Sequence, residues 1–593
     1  MRYARRLTGS TRWLSIAALS VCAGLMLGCE GQIEPANPSG SGGSGATGSG
    51  GQTGAVCADS DPKQVVAKQR VMLLTKAQII NTVRYLINDA VATELLSSGK
   101  FSITSELEKH FPPADGEEQN INESSVQPLN NLAEHVAGYV SKNFAAVTKC
   151  ASPTDACATS WLNALAVKAY RRALKPDEQT RFTNLFMTLR SHERNCYLVT
   201  NTVEQATGYA VWALLLSPQL NWRWEIGSQQ STSPPGFLLT DDELASQLSF
   251  FLTDAPPDDM LLASAKANML RTNLASHVSR ILQSSTGKAW MRRVMELYFL
   301  LNQLPGSPVD PGKFPVDSGL LASMQTESEM FLDNVLWGPN LKDLLLSRTT
   351  FVNTRLAETV YKIPVPSGAT LDNFVRVELN PEQRSGILTN PGFLTARSHS
   401  DGQNLISRAK TVKPAFLCFI PPAPDLDKLG DQIAAAAGNF SKQTGQEQAA
   451  ARAANPVCGA CHALFDSFGL PLEYYDAVAR YRTNYDYLDN KPAIDGTAKL
   501  PNEAGGKTVK NAIELSQALA DHPAFTNCFA KSMLQYAMTE LSALVELPIE
   551  GTTAGCAASG VVQRFNNSPM KSFTSMVTAV TQAPAFGIRK AAQ

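Results

Sequence analysis

The chain has 593 residues, of which 44% are apolar and 18% charged, with a formal net charge of −1. That composition is enough for several packed domains. It excludes a nucleic-acid binder, because no basic run or aromatic-basic interleaving supplies the electrostatic footprint such binding needs.

Residues 1–29 read as an export signal. Arg2, Arg5, Arg6 and Arg12 precede an apolar run from Leu14 to Leu27, too short to span a bilayer as a stable helix. The run ends in Leu25-Met26-Leu27-Gly28-Cys29, which resembles a bacterial lipobox with Met26 where Leu is commoner. The resemblance implies cleavage before Cys29 and acylation of its thiol, which would hold the protein on membrane lipid without spanning it. An ordinary signal peptide that ends near a cysteine is the plainer alternative. Glu30, rather than Asp, favours an outer-membrane or cell-surface lipoprotein facing an extracytoplasmic space. Residues 30–56 form a flexible tether, since 37–54 are nearly all Gly, Ser, Ala, Thr, Asn, Pro and Gln and cannot bury a core.

The rest reads as mainly α, in stacked helical bundles. Module boundaries are expected at 57–149, 150–232, 233–379, 380–500 and 501–593. Thr75-Lys-Ala-Gln78 predicts a capping box, and Ile79, Ile80, Val83, Leu86 and Ile87 an apolar face behind it. An amphipathic helix is predicted over 161–174, with Tyr170-Arg171-Arg172 as a solvated basic end. A buried helix is predicted over 202–216, followed by Trp222 and Trp224 in the core. Thr240-Asp-Asp-Glu243 predicts a second capping box. Amphipathic segments follow at 258–284, 287–301, 317–337 and 353–361, and a short hairpin is expected within 362–379. Oxidising export predicts disulfides. Cys150 and Cys157 are close enough to pair, and Cys528 is a candidate partner of Cys556, leaving Cys57, Cys196 and Cys418.

Past Ser398-His399-Ser400, a Pro-rich strap at 421–424 and a helix-prone stretch over 433–454, the chain reaches Asn455-Pro-Val-Cys458-Gly-Ala-Cys461-His462. Cys-x-x-Cys-His is the attachment pattern of a c-type haem. Two thiols two residues apart each add to one vinyl group, and the adjacent imidazole becomes an axial iron ligand. The expected cofactor is therefore one covalent haem c. A zinc half-site, a degenerate site and a plain disulfide are the alternatives. Zinc needs a second ligand pair, and no other C-x-x-C occurs.

These segments together resemble planctomycete-type cytochrome-c-like secreted proteins, multi-module chains known mostly as domains of unknown function. The resemblance spans roughly residues 70–590. It runs through Leu74–Leu86, Ala169–Arg172, Leu216–Arg223 with Glu243–Leu252, Arg384–Leu388, Asp466–Asp476 with Arg480–Arg482, and Asn527–Ala530 with Ala585–Arg589. It implies a cytochrome-c-like helical haem module and electron transfer, with no known substrate. Two positions depart from it: Ala479, where Gly is commoner, and Thr539-Glu540, where Gly-Arg is commoner.

His462 is the expected fifth iron ligand. His399 ranks first for the sixth, ahead of His522, Met533, Met538 and Met570, and a vacant sixth site stays open. Arg480 and Arg482 are candidates to pair with haem propionates; solvated helix-end charges are the alternative for both. Asp476 is expected to hold Arg480 or a turn, and Asp495 to be a turn residue. Three functions follow: an electron carrier with a redox or scaffold protein partner, a haem peroxidase or oxidase with an open iron, and a cell-surface helical scaffold with structural haem or none.

Overall fold

The computed structural model describes residues 66–97, 123–194, 197–232, 234–419, 443–538 and 553–591. The lipobox cysteine Cys29, the tether, the strap at 421–424, the Thr539-Glu540 departure, Cys57 and Cys196 lie outside them. The chain is overwhelmingly helical. Its strands form only two- and three-stranded pieces that staple helices together. Among the described residues no helix is long and apolar enough to cross a membrane.

Apolar side chains separate into two cores. The first gathers residues from Leu74 to Leu220 with Phe250. Helix α1 (Lys76–Leu86) starts it, and the Thr75–Gln78 capping box forms as its sequence requires. Helices α2 (Glu123–Lys142) and α3 (Val203–Leu215) pack closely in its centre. At Gly208 an added Cβ would lie 2.1 Å from Ser141 Oγ and 2.7 Å from the Ala137 carbonyl oxygen, so only glycine permits that approach. The second core takes Ala67 and runs from Leu239 to Phe586. It contains α4 (Asp241–Thr253), α5 (Ser285–Tyr298), α6 (Ser318–Leu336), α7 (Leu405–Leu417), α8 (Pro523–Met538) and α9 (Phe573–Thr581). The expected modules 233–379, 380–500 and 501–593 thus share one continuous interior.

Several local expectations need correction. Trp222 and Trp224 do not form core. They lie on strand β1 (Trp222–Glu225), whose alternation turns Arg223 and Glu225 inward and leaves Trp224 exposed. Arg171 is not solvated. It ends the Asp155–Tyr170 helix in a left-handed conformation and is buried, donating to the carbonyl oxygens of Leu220, Gln219 and Trp222 at 2.9, 2.9 and 2.6 Å. The strand at Val375–Glu378 makes no hairpin within 362–379; it pairs with Thr349–Val352. The 258–284 segment divides into Asp259–Lys266 and Leu274–Gln283. Cys150 pairs with Cys157 as expected, but Cys528 pairs with Cys418. That bond ties the residue that caps α7 to α8, two helices already packed together.

The two cores meet at one ionic knot. Glu225, 1% exposed, accepts from Arg589 at 2.6 Å, from Arg223 at 2.9 Å and from Arg70 at 2.9 Å. Arg589 also donates to Gln247 at 2.8 Å and to the carbonyl oxygens of Ala585 and Ile588. Arg223 and Arg171 stack on Phe250, 5.4 and 5.8 Å from the ring centre. The first and last described segments join here, as Gln69 N–H donates to the Lys590 carbonyl oxygen and Lys590 N–H to that of Ala67, both at 2.7 Å. Despite burial, the surrounding guanidinium groups hold the Glu225 carboxyl well below the usual range.

Two predictions follow from buried carboxyls. Glu225→Gln keeps the shape but leaves three guanidinium groups without a counter-charge. Chemical denaturation is expected to show a loss of about 3–5 kcal/mol, against under about 1 kcal/mol for the exposed-pair control Asp177→Asn. Glu327 on α6 is wholly buried, bonded by Thr350 Oγ at 2.6 Å and by Tyr361 OH. Burial pushes its pKa up to about 7 from 4.5. The folded state therefore holds a proton that the unfolded chain releases, so the contribution is full below pH 4.5 and lost as pH rises to 7. Stability is expected to fall on the order of 3 kcal/mol over that window, and Glu327→Gln to remove that slope in unfolding curves taken across it.

Candidate functional site

The motif sits on a short helix set against a longer one. Thr444 and Glu447 form a capping box that starts the Gly445–Ala454 helix. The chain breaks at Asn455, whose extended conformation closes one helix and precedes Pro456, the first residue of the next. Asn455 Oδ1 accepts from Cys458 N–H at 3.3 Å. Gly459 lies so close to the preceding helix that an added Cβ would sit 2.8 Å from the Ala453 carbonyl oxygen. The motif's glycine is thus required by packing. Cys458 and Cys461 share one helical face one turn apart. Both are half-buried free thiols, while Cys150, Cys157, Cys418 and Cys528 are bonded.

His462 is held by a carboxylate. Its Nδ1 lies 3.0 Å from Asp466 Oδ1, and Asp466 Oδ2 accepts from Arg452 Nε at 2.9 Å. The three side chains are 18%, 10% and 4% exposed, so exposure falls steadily from the ring to the guanidinium. The Phe465 ring packs 4.9 Å from the imidazole. An ionised Asp466 accepts, so Nδ1 carries the proton and Nε2 presents its lone pair. Sequence reading noted Asp466 without a role, although the i, i+4 spacing from His462 was the available signal. Arg452 was missed, and nothing local marks it.

The other candidates spread around this helix. His399 is on an exposed loop, closed by its N–H to the Gly402 carbonyl oxygen at 2.8 Å. Its Nε2 lies 2.7 Å from Asn404 Nδ2, and Asn404 Oδ1 caps α7 through Ser407 N–H. The neighbouring Gln403 reaches Glu473 at 3.1 Å, so the loop lies against the chain that follows the motif. His522 Nδ1 accepts from Ala524 N–H at 3.2 Å, which fixes the start of α8. Met533 and Met538 are core residues, and Met570 is exposed. Asp476 does hold both Arg480 and a turn. Its Oδ2 takes Arg480 Nε at 2.6 Å, and its Oδ1 takes the N–H groups of Val478 and Arg480. Asp495 accepts from Thr497 N–H, as a turn residue does.

Arg482 differs from Arg480. One nitrogen bonds the exposed Asp486 at 2.8 Å, and the guanidinium lies between Tyr485 and Tyr487, 5.6 and 5.4 Å from their rings. Its Nε and Nη2 are buried with no partner among the described residues. Beneath, wholly buried Arg408 donates to the carbonyl oxygens of Leu472, Tyr475 and Asp476 at 3.0, 2.7 and 2.7 Å, pinning α7 to the post-motif turn. Burial pushes its pKa down to about 10, so it stays charged at neutral pH.

Chemically, this helix offers two unbonded thiols at the spacing that two vinyl groups need, beside an imidazole in a fixed tautomer. These residues fit a covalent haem. A bare metal ion lacks ligands: among the described residues no group of three or more His, Cys, Asp or Glu is placed to hold one.

Comparison with known proteins places two modules on this chain. Residues 239–363 match the PSD4 family model, a protein of unknown function (DUF1592), and residues 384–485 match PSCyt3, a protein of unknown function (DUF1588). The second match contains the motif helix, His399, Arg480 and Arg482. No curated protein and no solved structure matches the chain significantly.

The departure at Ala479 has a structural meaning. Its φ is +63°, in the region that favours glycine, and it is fully buried. Ala479→Gly relieves backbone strain but frees the unfolded chain and removes a buried methyl. It is expected to lie within about 1 kcal/mol of wild type. Ala479→Val adds a β-branch to that conformation and is expected to cost more than about 2 kcal/mol. Urea unfolding of the two variants checks the asymmetry; equal losses would contradict it.

Proposed function

We propose that this chain, built on the PSD4 and PSCyt3 modules of planctomycete-type multi-module proteins, is exported and lipid-anchored through Cys29. It carries one covalent haem c on Cys458, Cys461 and His462, transfers electrons through it, and presents its helical body to a redox or scaffold protein partner. The observation that carries this reading is the motif helix itself. Its two thiols are free where four other cysteines are paired, and they precede an imidazole whose Nδ1 is already satisfied.

When bound, the haem supplies reversible one-electron chemistry. The chain's own residues do the rest. Cys458 and Cys461 fix the group's position, and His462 offers Nε2. Arg482 has two buried donors uncommitted, which suits a propionate. Arg480 is committed to Asp476, so it acts on the site through the turn. His399, whose Nε2 meets Asn404 on the loop beside Glu473, would be this chain's candidate for a second ligand to the group.

A helical scaffold is the second reading. It is favoured by the size of the body, since an electron carrier needs on the order of one small domain and the second core alone runs from Leu239 to Phe586.

The test is a pyridine haemochrome assay on the mature chain from a host that matures c-type haem, beside Cys458→Ala and Cys461→Ala. Stoichiometry near one haem per chain is expected, with covalent haem lost from the double variant. A colourless wild type, where a control cytochrome matures, leaves the scaffold reading.

A further inference from the structure

We propose, on the reading of residues 458–462 as a haem attachment site, that Asp466 is a positioning residue that sets the donor strength of His462. The imidazole Nδ1 meets a carboxylate oxygen at 3.0 Å. A carboxylate acceptor makes a charge-assisted bond, shorter and stronger than one to a neutral carbonyl. Such a bond fixes which ring nitrogen carries the proton and raises the basicity of the other.

The arrangement is built rather than incidental. The turn after the motif is closed by Ala463 N–H to the Gly459 carbonyl oxygen at 2.9 Å, Leu464 N–H to Cys461 at 3.1 Å and Phe465 N–H to His462 at 3.2 Å. That turn carries Asp466 back to the imidazole. Asp466 cannot swing away, because Arg452 from the preceding helix holds its second oxygen at 2.9 Å and is itself 4% exposed. Phe465, packed 4.9 Å from the imidazole, limits ring rotation.

Arg452 and Asp466 act in opposite senses on the ring. The carboxylate draws the Nδ1 proton and enriches Nε2. The guanidinium shares the carboxylate's charge and tempers that pull. A richer Nε2 would stabilise the more oxidised iron, so this pair would set the potential through the hydrogen bond behind His462.

The experiment compares wild type, Asp466→Asn, Asp466→Glu and Arg452→Gln, each matured with haem and counted by pyridine haemochrome. Two readouts follow: the midpoint potential, and the iron–carbon stretch of the ferrous carbonyl complex. In that complex CO takes the sixth site whatever held it, so the stretch reports the histidine opposite. Asp466→Asn is expected to raise the potential and the iron–carbon frequency, and Asp466→Glu to restore both toward wild type. Arg452→Gln is expected to lower both. The sign of the vibrational shift separates the two effects: weaker ring donation raises the iron–carbon frequency, whereas loss of a nearby negative charge weakens back-donation and lowers it. An unchanged iron–carbon frequency in haem-loaded Asp466→Asn overturns the inference while leaving the attachment site standing. If that variant does not mature, an unchanged frequency in Arg452→Gln overturns it instead. A wild type without haem overturns the attachment reading, and this inference with it.

Discussion

A single carboxylate, Glu225, is the constraint on which the architecture depends. It lies where the two hydrophobic cores touch, and the arginines it holds come from the beginning, the middle and the end of the described chain. Three cations on one anion is an unbalanced cluster by count, so burial alone would disfavour it. The excess donors are satisfied otherwise: Arg589 spends nitrogens on Ala585, Ile588 and Gln247, and Arg223 stacks on Phe250. These hydrogen bonds meet most of the desolvation cost, with Arg70 Nη2 left only its ion pair to Glu225 at 2.9 Å, and they give the knot its geometric demands. Strand register, the alternation that exposes Trp224 and the closing pair of terminal strands must all be right together. Such a cluster specifies one arrangement of the two cores more sharply than apolar packing does, because apolar surfaces tolerate repacking.

The same device recurs at several helix ends and turns. Arg171, Arg384, Arg397 and Arg408 are buried, and each donates to main-chain carbonyl oxygens left over at a helix end or turn. A guanidinium brings five donors in a fixed plane, so one side chain satisfies several carbonyls that water cannot reach. Beside the Cys458–His462 helix the same device takes a different acceptor. Arg452 is also a buried arginine facing a carboxylate, but that carboxylate's other oxygen meets His462 rather than main chain. The same habit thus places a carboxylate-bonded imidazole beside the free thiols Cys458 and Cys461.

What the sequence reveals and conceals divides along physical lines. The capping boxes expected at Thr75 and Thr240 form, and Thr202 and Thr444 add two that were not predicted, because a cap is decided within four residues. The helical class and the buried 202–216 segment were legible for the same reason. The Cys150–Cys157 pairing lay within one short loop. Errors came where a distant partner overrode a local tendency. Arg171 looks solvated by charge, and Trp222 and Trp224 look buried by apolarity, until Arg589 from the far end is present to draw the alternate residues inward. Cys528 pairs across 110 residues rather than with Cys556 nearby in sequence. The motif was legible residue by residue, but its support was only half so: Asp466 at i+4 is a local signal, whereas Arg452 belongs to another helix.

The packing around the motif fixes how residues 384–485 sit in the larger body. Arg384 stacks on Tyr361 and Tyr475, 4.8 and 5.0 Å from the rings, and donates to the Ala479 carbonyl oxygen at 2.8 Å. Tyr475 in turn donates to the Gln383 carbonyl oxygen. Buried Lys413 joins the Leu464 carbonyl oxygen to Glu503, and the Cys418–Cys528 disulfide binds the same helix to the C-terminal bundle. Separating residues 384–485 from this surround would expose the shared core and strand buried cations without their acceptors. The PSCyt3 segment is therefore not a bead on a string. It is one wall of a larger body, and any group held at Cys458 and Cys461 keeps a fixed orientation to the helices before it.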